Sequence, residues 1–148
     1  MSDSDPMVLT HSAPSLYEHL NAFANVLEAA VQKAGASEDE QVDLMVAVME
    51  ALNNAIDHGN GEDASKNVHM KIEIQPSSIT VWVQDEGGGF DPGATPDPRK
   101  PENLMNESGR GMLMMRAFMD EVDFLPSQTG TQVKMIKYFS SNSSPSHR

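Results

Sequence analysis

The sequence contains no cysteine, which excludes a disulfide scaffold, Cys-ligated zinc, an iron–sulfur cluster and a thiol nucleophile. This absence fits a reducing compartment, so we expect a cytoplasmic protein. No apolar run approaches the roughly 20 residues that a membrane-spanning helix requires. Residues 1–6 are acidic where a signal peptide would be basic, so we expect neither export nor membrane insertion.

Basic residues are also scarce. Ten Lys and Arg stand against 22 Asp and Glu, which gives a formal net charge of -12. This charge repels phosphate backbones and anionic lipid surfaces, so direct binding to nucleic acid is not expected. A protein partner with a basic surface is compatible with this charge, although an acidic surface often serves only solubility.

The residues that are present suffice for one packed domain, because 148 residues with a hydrophobic fraction of 39% are near the globular norm. Residues 1–6 and 140–148 are small and polar, which predicts disordered ends around a single domain over residues 7–139.

Apolar residues at helical spacing predict three helices. The first lies between Leu16 and Gly35, and the third covers Met112 to Met119. The second begins at Ser37, where Ser-Glu-Asp-Glu has the form of a capping box, and it ends at Gly59. The apolar stripe expected on this second helix consists of Val42, Met45, Met49, Leu52 and Ile56.

Alternating apolar residues predict a hairpin of two strands over residues 68–74 and 79–83, and we expect Trp82 of the second strand in the core. Further strands are expected over residues 7–10, 122–125 and 132–139. The order strand, two helices, two strands, loop, helix, two strands predicts an α/β (α+β) two-layer sandwich. Its sheet should be mostly antiparallel or mixed, with the helices on one face.

The second helix carries a polar cluster beside its apolar stripe. At 100° per residue, Asn54 lies about 40° and Asp57 about 20° from Glu50 around the helix axis, so the three side chains share one face. Two carboxylates and an amide suit Mg²⁺, which commonly takes few protein oxygens and completes its shell with water and phosphate. A solvated polar face is the alternative interpretation.

A glycine-rich turn, Asp85-Glu-Gly-Gly-Gly-Phe-Asp91, follows the second strand of the hairpin. Three consecutive glycines permit close approach of a ligand to the backbone, although a flexible turn is the alternative. A carboxylate at Asp85 could accept a hydrogen bond from the exocyclic amine of a base, which would make an adenine pocket selective.

Gly109-Arg110-Gly111 precedes the third helix. Backbone N–H groups at a helix start, together with the Arg110 charge, favour phosphate binding, and helix-capping glycines are the alternative. Met105 and the segment from Met112 to Met115 are candidates to line a nucleotide or a partner groove, with adaptable core packing as the alternative.

The three segments together resemble the GHKL ATPases. Residues 50–59 (EALNNAIDHG) are similar to the N box of that family, residues 85–92 (DEGGGFDP) to its first glycine box, and residues 109–122 (GRGMLMMRAFMDEV) to its second. The likeness spans about residues 7–139 and is greatest to bacterial anti-sigma-factor serine kinases of the RsbW/SpoIIAB type. It implies a Bergerat-type fold for the domain.

The resemblance implies ATP and Mg²⁺ as cofactors. It assigns Glu50 as the general base, Asn54 as the Mg²⁺ ligand and Asp85 as the carboxylate that reads adenine. Residues 91–108 would form an ATP lid. Further nucleotide-binding positions under the resemblance are Asp57, Gly87, Gly89, Gly109, Arg110, Gly111, Met112 and Thr131.

The implied activity is that of an ATP-dependent protein serine/threonine kinase and anti-sigma factor, and the resemblance also suggests a homodimer. Its implied partners are a STAS-type anti-anti-sigma protein, which it phosphorylates, and a sigma factor, which it sequesters. Sporulation-type members carry an Arg in the stretch occupied here by Asn106-Glu107-Ser108. This departure favours an alternative, a non-catalytic, nucleotide-gated protein-binding module of the same fold.

Overall fold

The structure is a computed structural model, which describes residues 6–87 and 107–140 and, in the second range, side chains from residue 113 onward. No helix within these ranges is long and apolar enough to cross a membrane. The elements are β1 (Met7–Pro14), a 3₁₀ turn (Tyr17–His19), α1 (Leu20–Lys33), α2 (Glu38–Asn54), a π-helical segment (Ala55–Gly59), β2 (Asn67–Gln75), β3 (Ser78–Gln84), α3 (Glu107–Phe118), β4 (Glu121–Ser127) and β5 (Gly130–Tyr138).

The five described strands form one sheet in the order β1-β2-β3-β5-β4, and every pairing is antiparallel. The predicted hairpin is confirmed, because Gln75 of β2 pairs with Ser78 of β3 across a two-residue turn. The path from β3 through α3 to β4 skips one position in the sheet, which β5 then fills between them. The predicted fold class is therefore confirmed.

One face of the sheet packs against the helices, because side chains alternate along each strand. In β2 the buried residues are Val68, Met70, Ile72 and Ile74, and the last three of these pair with Val83, Val81 and Ile79 of β3. Phe23 and Leu27 of α1 are fully buried in the same core. Burial of these apolar side chains supplies the main stabilising term of the domain.

Helix α2 starts as predicted but buries a different face. Ser37 Oγ accepts from the Glu40 N–H, and Glu40 Oε1 accepts from the Ser37 N–H, so the capping box is present. The predicted apolar stripe is wrong in part, since Val42 is 59% exposed and Met45 and Met49 are only partly buried. The residues that α2 buries in the core are Leu44, Ala47, Val48, Ala51 and Leu52. Alanines carry no long side chain, so they let the helix lie close to its neighbours.

Trp82 is not a core residue, contrary to the prediction. The alternation of β3 directs Val81 and Val83 to the helices, and Trp82 therefore lies half-exposed on the opposite face. The ammonium groups of Lys71 and Lys134 lie 4.9 and 5.9 Å from its ring centroid. Contact of these two ammonium groups with the aromatic face stabilises the ring at this position.

Candidate functional site

Asp85 is a buried carboxylate at the point where β3 ends. Its residue is only 7% exposed. Its Oδ1 accepts two backbone hydrogen bonds, from the Gly87 N–H (3.1 Å) and the Thr131 N–H (3.0 Å). Its own N–H donates to the Thr131 carbonyl (3.0 Å). Two strand ends and the following turn therefore fix this side chain, and within the described residues both bonds to the carboxylate go to one oxygen.

Three glycines pack directly against Asp85, and a methyl group could not replace the hydrogen of any of them. A Cβ on Gly59 would lie 2.1 Å from Asp85 Oδ2, and one on Gly130 would lie 2.1 Å from the Asp85 carbonyl oxygen. A Cβ on Gly87 would lie 2.0 Å from the Gly59 carbonyl oxygen. We call Asp85, Gly59, Gly87, Gly130 and Thr131 the Asp85 cradle.

Burial raises the pKa of Asp85 above its usual value, and the hydrogen bonds from Gly87 and Thr131 oppose this shift only in part. A carboxylate that is costly to keep charged in the free protein gains from a ligand that donates a hydrogen bond to it. The cradle therefore suits a ligand with an N–H donor, such as an exocyclic amine of a base.

Asn60 ties the cradle to the sheet. Its side chain is buried, and its Oδ1 accepts from the Glu86 N–H (2.8 Å). Its Nδ2 donates to the Asn67 carbonyl (2.9 Å) and to Ser15 Oγ (2.5 Å). Because Asn60 follows Gly59, these bonds hold the π-helical segment against the exit of β3. Neither Asn60 nor Gly130 is singled out by a sequence pattern, and Gly59 is predicted only as a helix end and as the last residue of the segment similar to the N box.

Glu50 and Asn54 lie one turn apart near the end of α2, and both are half-buried. α2 contacts both β3 and α3, the elements that carry or precede the other candidate residues. Asp57 belongs to the π-helical segment, so the predicted angle of 100° per residue does not apply to it. The spacing of 100° per residue is therefore observed only between Glu50 and Asn54, which both belong to α2. π-Helical turns within α-helices are rare and occur frequently at functional sites.

The second glycine motif lies inside a helix, not ahead of it. α3 begins at Glu107, so Gly109, Arg110, Gly111 and Met112 are helical residues. The prediction of a helix start after Gly111 is wrong. The first four N–H groups of any helix lack partners within it, and here they belong to residues 107–110. Gly89 and residues 91–106 of the predicted lid lie outside the described residues.

The described residues include no group of three or more His, Asp or Glu side chains that could hold a metal ion. A cation held by the protein alone is therefore not indicated in this part of the chain. The donor set does fit Mg²⁺ that arrives with a nucleotide, because one amide oxygen such as that of Asn54 can complete a shell of phosphate and water oxygens.

Two curated relatives cover most of the chain. A serine-protein kinase RsbW from Staphylococcus epidermidis is 30% identical over 132 residues, which are 84% of this chain and 82% of the relative. A serine-protein kinase RsbW from Bacillus subtilis is 30% identical over 131 residues, with 84% and 81% covered.

Solved structures share the fold at low identity. The RsbU and RsbW domains of a Mycobacterium tuberculosis protein align over 88% of this chain and 31% of that one, with a TM-score of 0.65 and 15% identity. A blue-light activated histidine kinase domain from Erythrobacter litoralis aligns over 84% and 60%, with a TM-score of 0.55 and 20% identity. Residues 13–137 also match the family described as the histidine kinase-like ATPase domain. This match spans both glycine motifs and the whole Asp85 cradle, and the chain belongs to that family.

Proposed function

We propose that the chain is an ATP-dependent protein serine/threonine kinase and anti-sigma factor of a partner-switching system. The observation that carries the proposal is the identity of 30% to serine-protein kinases over 84% of the chain, in a sequence whose fold builds the Asp85 cradle. A kinase needs a nucleotide site, a metal ligand and a proton acceptor, and this chain offers a candidate for each.

Asp85 is the proposed contact to the adenine of ATP. The exocyclic amine would donate to the carboxylate. The glycines at positions 59, 87 and 130 place no side chain of their own in the space around Asp85. Selectivity for adenine over guanine follows, because guanine presents a carbonyl acceptor where adenine presents the amine. The remaining proposed nucleotide contacts are Asp57, Gly87, Gly89, Gly109, Arg110, Gly111, Met112 and Thr131.

Glu50 and Asn54 are the proposed chemical groups on α2. The Asn54 amide oxygen would ligate Mg²⁺, and the Glu50 carboxylate would accept the proton of the attacking serine hydroxyl. When bound, Mg²⁺-ATP supplies the transferable phosphoryl group and the charge that neutralises its oxygens. Glu50 and Asn54 lie one helical turn apart, so both side chains can act on the same reacting group.

The proposed partners are a STAS-type anti-anti-sigma protein as phosphoryl acceptor and a sigma factor as the sequestered protein. A cytoplasmic location and a homodimer belong to the same proposal. The net charge of -12 supports recognition of basic protein surfaces over nucleic acid or anionic membranes.

The test is transfer of labelled γ-phosphate from ATP to a candidate anti-anti-sigma protein. We expect Glu50→Gln to reduce transfer by roughly 10² to 10⁴, because a positioned general base contributes about that factor. Its affinity for ATP should stay within a few-fold, since a proton acceptor contributes mainly in the transition state. Glu38→Gln is the matched control, because Glu38 is an exposed acid at the opposite end of the same helix. Equal transfer by the Glu50→Gln and unmodified proteins would contradict the base assignment.

The alternative is a non-catalytic, nucleotide-gated binding module, and the observation that favours it is the absence of Arg from Asn106-Glu107-Ser108. This function predicts binding of ATP, no transfer before or after the Glu50 substitution, and partner affinity that still depends on nucleotide. The same assay combined with a binding measurement separates the two functions.

A further inference from the structure

A second group of reactive side chains lies on the face of the sheet that the three helices leave open. Ser12 of β1 and His69 of β2 are direct partners in the strand register. They line a groove of about 340 Å³ that also contains Lys71 and Trp82. Side chains alternate between the two faces of the sheet, so this groove and the helix-covered core lie on opposite faces.

Three side chains in this region form a continuous hydrogen-bonded series. Ser12 Oγ lies 2.7 Å from His69 Nδ1, and His69 Nε2 lies 2.5 Å from Glu86 Oε2. Ser12 is exposed, and His69 and Glu86 have side chains about two-fifths exposed. A hydroxyl, an imidazole and a carboxylate in this order are the arrangement by which proteins make a serine nucleophilic.

The carboxylate of this series is fixed at its other end. Glu86 Oε1 accepts from the Asn67 N–H (2.9 Å), and the Glu86 N–H donates to Asn60 Oδ1 (2.8 Å). The hydrogen bonds from Asn67 and from His69 lower the pKa of Glu86, so its carboxylate is ionised at neutral pH. An ionised carboxylate only accepts, so in the neutral imidazole the proton lies on Nε2 and the lone pair on Nδ1. Ser12 is then the donor to His69.

We propose that Ser12 is a nucleophile that is acylated by carboxylic esters bound in this groove, with His69 as the base and Glu86 as the positioning residue. Trp82 provides a half-buried aromatic surface for an apolar or aryl group of the ester. Lys71 provides a cation on the same face for the oxyanion of the intermediate. Ser12, His69 and Glu86 are not among the residues proposed for nucleotide binding or phosphoryl transfer, so the two activities can be measured separately.

The reaction balances without a cofactor. Ser12 Oγ attacks the carbonyl carbon and its proton passes to His69 Nδ1. The C–O bond to the alcohol breaks, and that oxygen leaves with the proton from His69. Water then attacks the acyl-serine, gives its proton to His69, and releases the carboxylic acid when Ser12 Oγ regains a proton.

The probe is p-nitrophenyl acetate, added to the full chain at pH 8 without ATP. We expect release of nitrophenolate together with an acetyl group on Ser12, located by mass spectrometry of the quenched protein. Ser12→Ala should abolish this label. His69→Gln should slow Ser12 acylation by roughly 10² to 10⁴, the usual contribution of a positioned base. Glu86→Gln should lower the maximal rate and leave the half-saturating ester concentration unchanged.

Ser65→Ala is the matched control. Ser65 is an exposed serine whose Oγ donates to Asp63 Oδ1 (2.6 Å) and which has no imidazole beside it in the described structure. It should leave the rate unchanged. Thermal unfolding of each variant is measured as well, so that a loss of Ser12 acetylation can be distinguished from a loss of the folded state. Acetyl groups on lysines with Ser12 unlabelled, or a rate indifferent to His69→Gln in a folded protein, would overturn the proposal.

Discussion

Substituting Gly59 by alanine tests whether the Asp85 cradle is built as described. The backbone at Gly59 does not lie in the left-handed region, so alanine costs no dihedral strain there. Its Cβ would lie 2.1 Å from Asp85 Oδ2 and 2.5 Å from Cγ, which is closer than non-bonded atoms approach. The Asp85 carboxyl must therefore move, and it then loses its hydrogen bonds to the Gly87 and Thr131 N–H groups.

The expected cost follows from those two bonds. A hydrogen bond to a charged group contributes about 1.5 to 3 kcal/mol, and burial raises the pKa of Asp85, so the lower end applies. The two bonds together then contribute about 3 kcal/mol. Alanine recovers about 0.4 to 1 kcal/mol by restricting the unfolded chain. We expect a net loss of about 2 kcal/mol, which for a domain of this size lowers the melting temperature by roughly 4 to 8 °C.

The assay is urea unfolding of four proteins: unmodified, Gly59→Ala, Asp85→Ala and the double variant. If the methyl group acts through the carboxyl, the substitutions are coupled by at least about 1 kcal/mol, because Asp85→Ala removes most of the obstacle. Gly61→Ala is the control. Gly61 has φ of +62° and nothing within 4 Å of the position that a methyl group would take. Alanine there is strained but displaces no neighbouring group, so its effect should add to that of Asp85→Ala. Additive effects of Gly59→Ala and Asp85→Ala would refute the steric argument.

Three further outcomes follow from the same structure. Asp85→Asn should stabilise the free protein at pH 7 and weaken ATP binding. This gain in the free energy of unfolding should be absent below the unfolded-state pKa of about 3.9 and complete above the raised folded-state pKa. Between these two pKa values it should grow by about 1.4 kcal/mol for each pH unit, which urea unfolding at a series of pH values would measure. ATP at a hundredfold excess over Kd should stabilise the protein by about 2.7 kcal/mol and raise its melting temperature. Asn54→Ala should remove the part of this increase that depends on Mg²⁺. Glu40→Ala should destabilise the protein by about 1 to 3 kcal/mol, because it removes a carboxylate that accepts hydrogen bonds from Ser140 and from the Ser37 N–H. Burial acts to raise the pKa of Glu40, and these hydrogen bonds lower it below its usual value. That stabilisation is present above the unfolded-state pKa of about 4.3 and is lost as pH falls through the folded-state pKa, which urea unfolding across the acid range would show.

The architecture is predictable because each element has a local signal. Period-two alternation marks both strands of the hairpin, and the Ser37 capping box marks the start of α2. The buried face of α2 is not predictable by the same means. Apolarity alone favours the stripe through Val42, whereas the helix buries Ala47 and Ala51 because the sheet and α3 approach it closely on that side. The face that a helix buries depends on the elements packed against it, and the sequence of the helix alone does not reveal where those elements lie.

The positions of two glycines and of Trp82 were also not predictable from local sequence patterns. Helix-breaking propensity places a helix start after Gly109 and Gly111, yet α3 begins at Glu107, so tertiary contacts with α2 outweigh the roughly 1 kcal/mol that each interior glycine costs. The size and apolarity of Trp82 predict a core position. The alternation of its strand directs it to the open face instead, where two lysine ammonium groups lie near its ring.

The three glycines of the Asp85 cradle are explained together and not one at a time. Along the chain, Gly59 ends a helical segment, Gly87 follows a strand and Gly130 begins another, and each has a sufficient local explanation. In the fold all three meet at Asp85, and at each of them a methyl group would overlap the aspartate or the backbone beside it. A buried carboxyl group with a raised pKa destabilises the free protein at neutral pH. The fold nevertheless keeps this group and surrounds it with three glycines, which indicates a role other than stability. A ligand whose donor reaches the Asp85 carboxylate would account for all four residues, and the exocyclic amine of the nucleotide proposed above is such a donor.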